Sequence, residues 1–203
     1  MLYGVFRYVT WFIVFALTIN MIRKSKIVRK KFAVILMGVL CLTLCSISFL
    51  FPVENLFISF KSPQDVFNYY WSGKIKNIEY GRSSCLVITP VEKNGYSRLI
   101  IPKSATGYKI PSMFSIHTIL YLFDADGSFE ASHVSNTNDY YILATSLTVN
   151  EIYIINGNNE QLKTKMKKFG EADLFYSYYN DFTKKCFLLV DGKSKYLVWG
   201  RHE

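Results

Sequence analysis

The side chains able to do chemistry are few and scattered along this chain. Asp124, Asp126 and Glu130 surround the run D-A-D-G, which begins like a calcium loop. An EF-hand needs a further Asp or Asn before its glycine and a Glu at the twelfth position, so Gly127 arrives too early. Asp-Gly between two apolar stretches is a hairpin signal, and 124–127 reads as a turn. His117, His133 and His202 lack ligand spacing, and no Ser or Cys stands in a G-x-S-x-G elbow. No glycine-rich phosphate loop occurs either. A surface hydrolase or transferase would exist here only if the fold gathered Asp124, Asp126, Glu130 and His133 into one place. The sequence itself assigns no catalytic, cofactor-binding or metal residue.

Three other groups of side chains bear on binding. In LKTKMKK, Lys163, Lys165 and Lys167 alternate with Leu162, Thr164 and Met166, so a strand puts the lysines on one face. That face suits an anionic partner, such as lipid headgroups or a wall polymer; the plainer reading is a solvated strand whose lysines discourage edge-to-edge pairing. Asn68, Tyr69, Tyr70, Tyr176, Tyr178 and Tyr179 could line a sugar or peptide groove, since Tyr joins an apolar body to a polar tip. Aromatics make up 17% of the chain, so most of them must be core. Of the cysteines, Cys41 and Cys45 lie in an apolar run where metal-binding thiolates would have to ionise in hydrocarbon. Cys85 and Cys186 lie on strand-like segments and are expected as two separate buried thiols, because a domain of this length needs no bridge.

What positions these groups is organised around Arg23 to Phe51, a basic cluster RKSKIVRKK followed by FAVILMGVLCLTLCSISFLF. A helix over 32–51 carries no charge, and its twenty residues match the roughly 30 Å hydrocarbon core of a bilayer. Residues 1–22 are apolar apart from Arg7 and a few small polar groups, and predict a first span. Positive charge follows that run rather than preceding it, and no small-residue cleavage site appears, which argues against a signal peptide. Arg7 is expected to snorkel to the interface, with Tyr3, Tyr8 and Trp11 as anchors. Residues 23–31 hold six Lys or Arg and no acid, so this short loop should stay cytoplasmic and both chain ends should face outward.

The formal charge is +9, but residues 1–52 hold seven Lys/Arg and no acid, leaving seventeen against fifteen in 53–203. The basic excess lies beside the membrane, where anionic lipid attracts it, and the remainder lacks the footprint of a nucleic-acid binder. The chain therefore divides into a two-helix transmembrane anchor, 1–52, and one extracytoplasmic domain, 53–203.

That domain reads as mainly β with one short helix. Ser62 is a good N-cap, Pro63 suits the first helical position and Asp65 the first turn, predicting a helix over 63–71 ended near Gly73. From Lys74 the pattern is period two: Lys74–Tyr80, Ser84–Val91, Ser97–Lys103, Phe114–Phe123, Ser128–Val134, Tyr140–Val149, Glu151–Ile155, Leu162–Phe169, Leu174–Asn180, Cys186–Val190 and Tyr196–Trp199. Ten or eleven short strands at this spacing predict antiparallel sheets, expected as two meanders meeting near 135–139.

The stretches FKSPQDVFNYYWSGKIKNIEYGRSSCLVI, IIPKSATGYKIP and TNDYYIL resemble membrane-anchored extracytoplasmic β-domain proteins of Gram-positive bacteria, which open with a Ser-Pro-acidic helix. The likeness covers most of 59–145. It implies the same topology and fold class, and no activity. The expected function is a membrane-anchored binding or interaction module whose partners are membrane lipid and another membrane protein or a cell-wall polymer.

Overall fold

A computed structural model describes residues 2–24, 30–71, 73–91, 95–124, 127–146, 152–155, 161–162, 165–169, 172–180, 187–190 and 193–196. Two long helices lead: α1 (Leu2–Lys24) and α2 (Lys30–Leu50). Within α2, Lys31–Ser48 is long and apolar enough to cross a membrane, the one such helix among the described residues. The two helices lie against each other in antiparallel fashion: Trp11 Nε1 donates to Ser48 Oγ (3.1 Å), and the space beside Gly38 is filled by Phe15.

The expected fate of Arg7 is overturned. Rather than snorkelling into the interface, its guanidinium is buried, donating through Nε to Glu54 Oε1 (2.9 Å) and through Nη2 to Oε2, with the Tyr3 ring 4.2 Å away. Glu54 follows α2 in a 3-10 turn, Val53–Leu56, and its carboxylate supplies the opposite charge that a buried guanidinium requires. Tyr3, expected as an interfacial anchor, is buried against Tyr69 and Tyr70 instead, with ring centroids 5.6 and 4.9 Å apart. The boundary at residue 52 is thus bridged by the start of α1.

The short helix α3 (Pro63–Tyr70) forms where its cap signals lie. Ser62 Oγ accepts from Asp65 N (3.1 Å) and Asp65 Oδ2 accepts from Ser62 N (3.2 Å), a reciprocal capping box. Val66 and Phe67 are fully buried beneath it. The helix stops at Trp71, whose backbone turns extended, two residues before the glycine expected to end it.

A first antiparallel sheet runs β1 (Asn77–Tyr80), β2 (Ser84–Val91), β3 (Gly95–Ser104), β4 (Gly107–Tyr108) in spatial order. Gly107 is required at its place: φ is +135°, and a Cβ there would lie 2.5 Å from Phe60 O, where Phe60 and Tyr108 exchange backbone hydrogen bonds of 3.0 and 2.9 Å. The second sheet contains β5 (Ile116–Asp124), β6 (Gly127–Val134), β7 (Asp139–Ser146), β10 (Lys165–Phe169) and β11 (Ala172–Asn180), ordered β10-β11-β7-β6-β5. A third comprises β8 (Ile152–Ile155), β9 (Gln161–Leu162), β12 (Phe187–Val190) and β13 (Lys193–Tyr196), ordered β13-β12-β8-β9.

Two expectations about these strands need correction. Residues 135–139 are the turn between β6 and β7, paired His133 to Tyr140, and do not separate two meanders. The first sheet ends earlier, before the non-strand stretch around Pro111. Leu162–Phe169 is not one strand: Leu162 pairs with Ile154 in the third sheet, while Lys165 pairs with Tyr176 in the second. Period-two alternation continues through 163–164, so no glycine or proline marked the crossing between sheets.

Alternation along β2 explains its layering. Cys85 and Val87 face Val66, Phe67, Ile101 and Ile110, whereas Leu86 and Ile88 face Tyr141, Leu143, Leu174 and Tyr176 of the second sheet. The first sheet is therefore covered by α3 on one side and by the second sheet on the other. Burial on both faces is why Ser84–Thr89 is buried without interruption.

Candidate functional site

The strongest polar cluster joins the first two sheets. Asp139, 1% exposed at the start of β7, accepts from Ser83 N (2.7 Å) and Ser84 Oγ (2.6 Å) on Oδ2, and from Tyr178 Oη (2.8 Å) on Oδ1. Tyr178 Oη in turn accepts from Arg82 N (2.9 Å), and Ser84 Oγ lies 2.9 Å from Tyr141 Oη. Burial pushes the Tyr141 phenol well above its ordinary range, with the Ser84 hydrogen bond opposing. The β1–β2 corner approaches so closely that a Cβ on Gly81 would lie 2.5 Å from Tyr141 Oη and 2.6 Å from Tyr178 Cε2. Ser84, Asp139 and Tyr141 resemble a reactive set on paper. All three are buried, so no substrate reaches them, and their work is to latch one sheet to the other.

The residues singled out for an assembled active site do not converge. Glu130 points between the sheets, where its carboxylate pairs with Arg98 and accepts from Ser132 Oγ (2.8 Å) and Thr118 Oγ1 (3.2 Å). His133 is on the opposite face of the same strand, odd against even in the period of two. It stacks on Tyr140 at 4.6 Å and meets Thr137 O at 2.7 Å. His117 stands across from His133 in the ladder. Asp124 pairs with Gly127 at the end of the hairpin, in keeping with a turn; Asp126 and His202 lie outside the described residues.

The proposed tyrosine groove is likewise dispersed. Tyr69 and Tyr70 pack around Tyr3 on the α3 layer, and burial, aided by the Glu54 charge and opposed by Arg7, raises the Tyr69 phenol. Asn68 accepts from Gln64 Nε2 at 3.0 Å. Tyr176 and Tyr178 point between sheets, Tyr176 Oη accepting from Asn77 Nδ2 (3.0 Å), and Tyr179 is on the other face of β11. Lys165 and Lys167 fall on β10, which lies at the edge of the second sheet among the described strands. Lys163 lies outside the described residues, as does Cys186. Cys85 is a free thiol, fully buried, and burial pushes it up to about 12.

What sequence reading missed is a sheet edge. β4 pairs with β3 only at Lys103 and Ser104, so among the described strands residues 97–101 of β3 pair with β2 alone. Lys103 N donates to Ser83 O on the β2 side and Pro102 O accepts from Lys109 N on the other. By the alternation of an antiparallel ladder, Arg98 and Ile100 turn their backbone groups away from β2. Along this edge runs an open groove of about 390 Å³, lined by Tyr96, Ser97, Arg98, Leu99, Ile100 and Ile116. The Arg98 guanidinium, about a third exposed, sits in its wall, anchored by Glu130. Nothing in a period-two pattern distinguishes an edge from a central strand, so the only available signal was the brevity of the YKI segment that follows.

No protein-family model, curated protein or solved structure matches the chain.

Proposed function

We propose that this chain is a membrane-anchored binding module whose β domain takes an extended segment of a partner along the β3 edge. In this reading α1 and α2 cross the cytoplasmic membrane as a hairpin, the basic 23–31 loop is inside, and 53–203 face outward. The observation that carries the binding reading is the groove beside β3, where backbone donors and acceptors border a mixed wall of Tyr96, Arg98, Ile100 and Ile116. An added strand would complete the ladder for affinity, and side-chain pockets on alternate residues would give specificity. Arg98, whose charge is paired with Glu130 but whose side chain is about a third exposed, has guanidinium N–H groups to meet a partner's carbonyls, which points to a peptide of another membrane or surface protein rather than a wall glycan.

The test is site-specific photo-cross-linking of the full chain in its native membrane. A cross-linking residue at Ser97 is expected to capture a defined partner, and one at Tyr80, exposed on β1, is not. Identical products from both positions, or none from Ser97, would reject the edge as the binding site. Turnover of a wall-derived substrate by the full chain would instead revive the hydrolase or transferase reading.

A further inference from the structure

We propose that the outer domain is seated directly on the outer leaflet by an apolar collar formed by Phe51, Val53, Leu56, Phe57, Met113 and Phe114. The occupant of this surface is the phospholipid around α2, and the inference rests on the reading that α2 crosses a bilayer. All six side chains are exposed, Phe57 by 86%, Leu56 by 79% and Met113 by 71%. They come from two segments separated in sequence but joined at the outer end of α2. Phe51 stacks on Phe114 at 5.1 Å, and Met113 N donates to Leu50 O at 3.4 Å. The collar is thus continuous with the exposed apolar surface of Leu44, Ile47 and Leu50 on the helix itself.

Exposure here is not the result of a loose loop. Asn55 clamps the two segments, donating from Nδ2 to Ile110 O and accepting from Ile110 N, both at 2.8 Å. Lys109 Nζ donates to Asn55 O (2.8 Å), Ile58 O (3.0 Å) and Ser59 Oγ (2.7 Å). Phe57 N closes the turn onto Glu54 O at 3.0 Å. The backbone is therefore satisfied from within while its large apolar side chains are held outward, an arrangement that water alone would disfavour. The acid in this segment, Glu54, is neutralised by Arg7, so no free carboxylate opposes contact with lipid. Aromatic and large aliphatic side chains at the end of a span fit the headgroup-to-acyl boundary.

Full-length protein in phosphatidylethanolamine/phosphatidylglycerol vesicles would be labelled with two photoactivatable phospholipids, one reactive beside the glycerol and one at the acyl terminus. The shallow probe should label peptides holding 51–57 and 113–114 several-fold more than the exposed Tyr80 and Val91 regions, and the deep probe should label the middle of α2. Phe57→Ser with Met113→Ser, both at exposed positions that folding should tolerate, should cut shallow labelling of the collar several-fold and leave deep labelling unchanged. Deep labelling of α2 without shallow labelling of the collar, or shallow labelling indifferent to the double substitution, overturns the seat while α2 stands as a span. Absence of deep labelling removes the span and the seat with it.

Discussion

Single side chains decide whether the two sheets stay together. Asp139 receives hydrogen bonds from Ser83, Ser84 and Tyr178 in a site closed to water, and each bond to a charged group contributes roughly 1.5–3 kcal/mol net. Asp139→Ala is accordingly expected to cost more than about 3 kcal/mol, read as a drop in the unfolding midpoint of the full chain in detergent; a change within about 0.5 kcal/mol would remove the latch from the account of stability. Gly81→Ala should cost about 1–3 kcal/mol by overpacking the same corner, and an unchanged midpoint would show that the Tyr141 and Tyr178 rings yield freely. Cys85 makes a pH prediction. Its folded thiol titrates near 12 against an ordinary 9.0, so above 9.0 the unfolded chain loses a proton that the folded chain keeps. Stability from this group is intact below that pH and falls as pH rises toward 12. The raised phenols of Tyr141 and Tyr178 act in the same direction. Cys85→Ala should flatten the alkaline decline in measured stability, and the native thiol should resist alkylation until the domain unfolds.

Among the elements, α3 and the start of α1 share the cover of the first sheet. Phe67 is fully buried between helix and sheet, so Phe67→Ala should cost about 3–5 kcal/mol. The junction of α1 with the turn after α2 depends on Arg7 and Glu54, which are 4% and 12% exposed. Removing either partner leaves a buried charge, with an expected loss of about 3–5 kcal/mol, whereas a paired Arg7→Met, Glu54→Leu change should recover most of it. A double-mutant cycle of melting in detergent measures that coupling. Additive losses would mean that the two residues act independently. Among the described strands, β10 with Lys165 and Lys167 lies at one edge of the second sheet, while residues 97–101 of β3 pair with β2 alone, beside a groove.

For the whole molecule the question is which way it faces. Six basic residues and no acid in 23–31 should hold that loop in the cytoplasm and place the β domain outside. Tyr80→Cys, at a position 58% exposed on β1, should react with a membrane-impermeant thiol reagent in intact cells. Labelling only after lysis would reverse the orientation. With the collar resting on lipid, the α3 layer, first sheet and second sheet would be held at a fixed attitude to the bilayer, presenting the β3 edge to neighbours in the same membrane.

Local signals were legible wherever a residue's role depends on its immediate neighbours. Ser62, Pro63 and Asp65 specify the start of α3 because a capping box closes within one turn. The uncharged run in α2 and the basic loop before it declare themselves by length and composition, and alternation from Lys74 onward marks strands because side chains flip at every residue. The rest depended on partners far away in sequence. Arg7 reads as a snorkelling cation until Glu54, 47 residues on, is brought beside it. Glu130 and His133 look like neighbours in a site until strand parity sends them to opposite faces, and the crossing between Leu162 and Lys165 is silent because alternation continues through it. The β3 edge and the collar were likewise hidden, since both are defined by what does or does not pack alongside. A period of two fixes which side chains share a face, but only the tertiary pairing decides which strand has a neighbour.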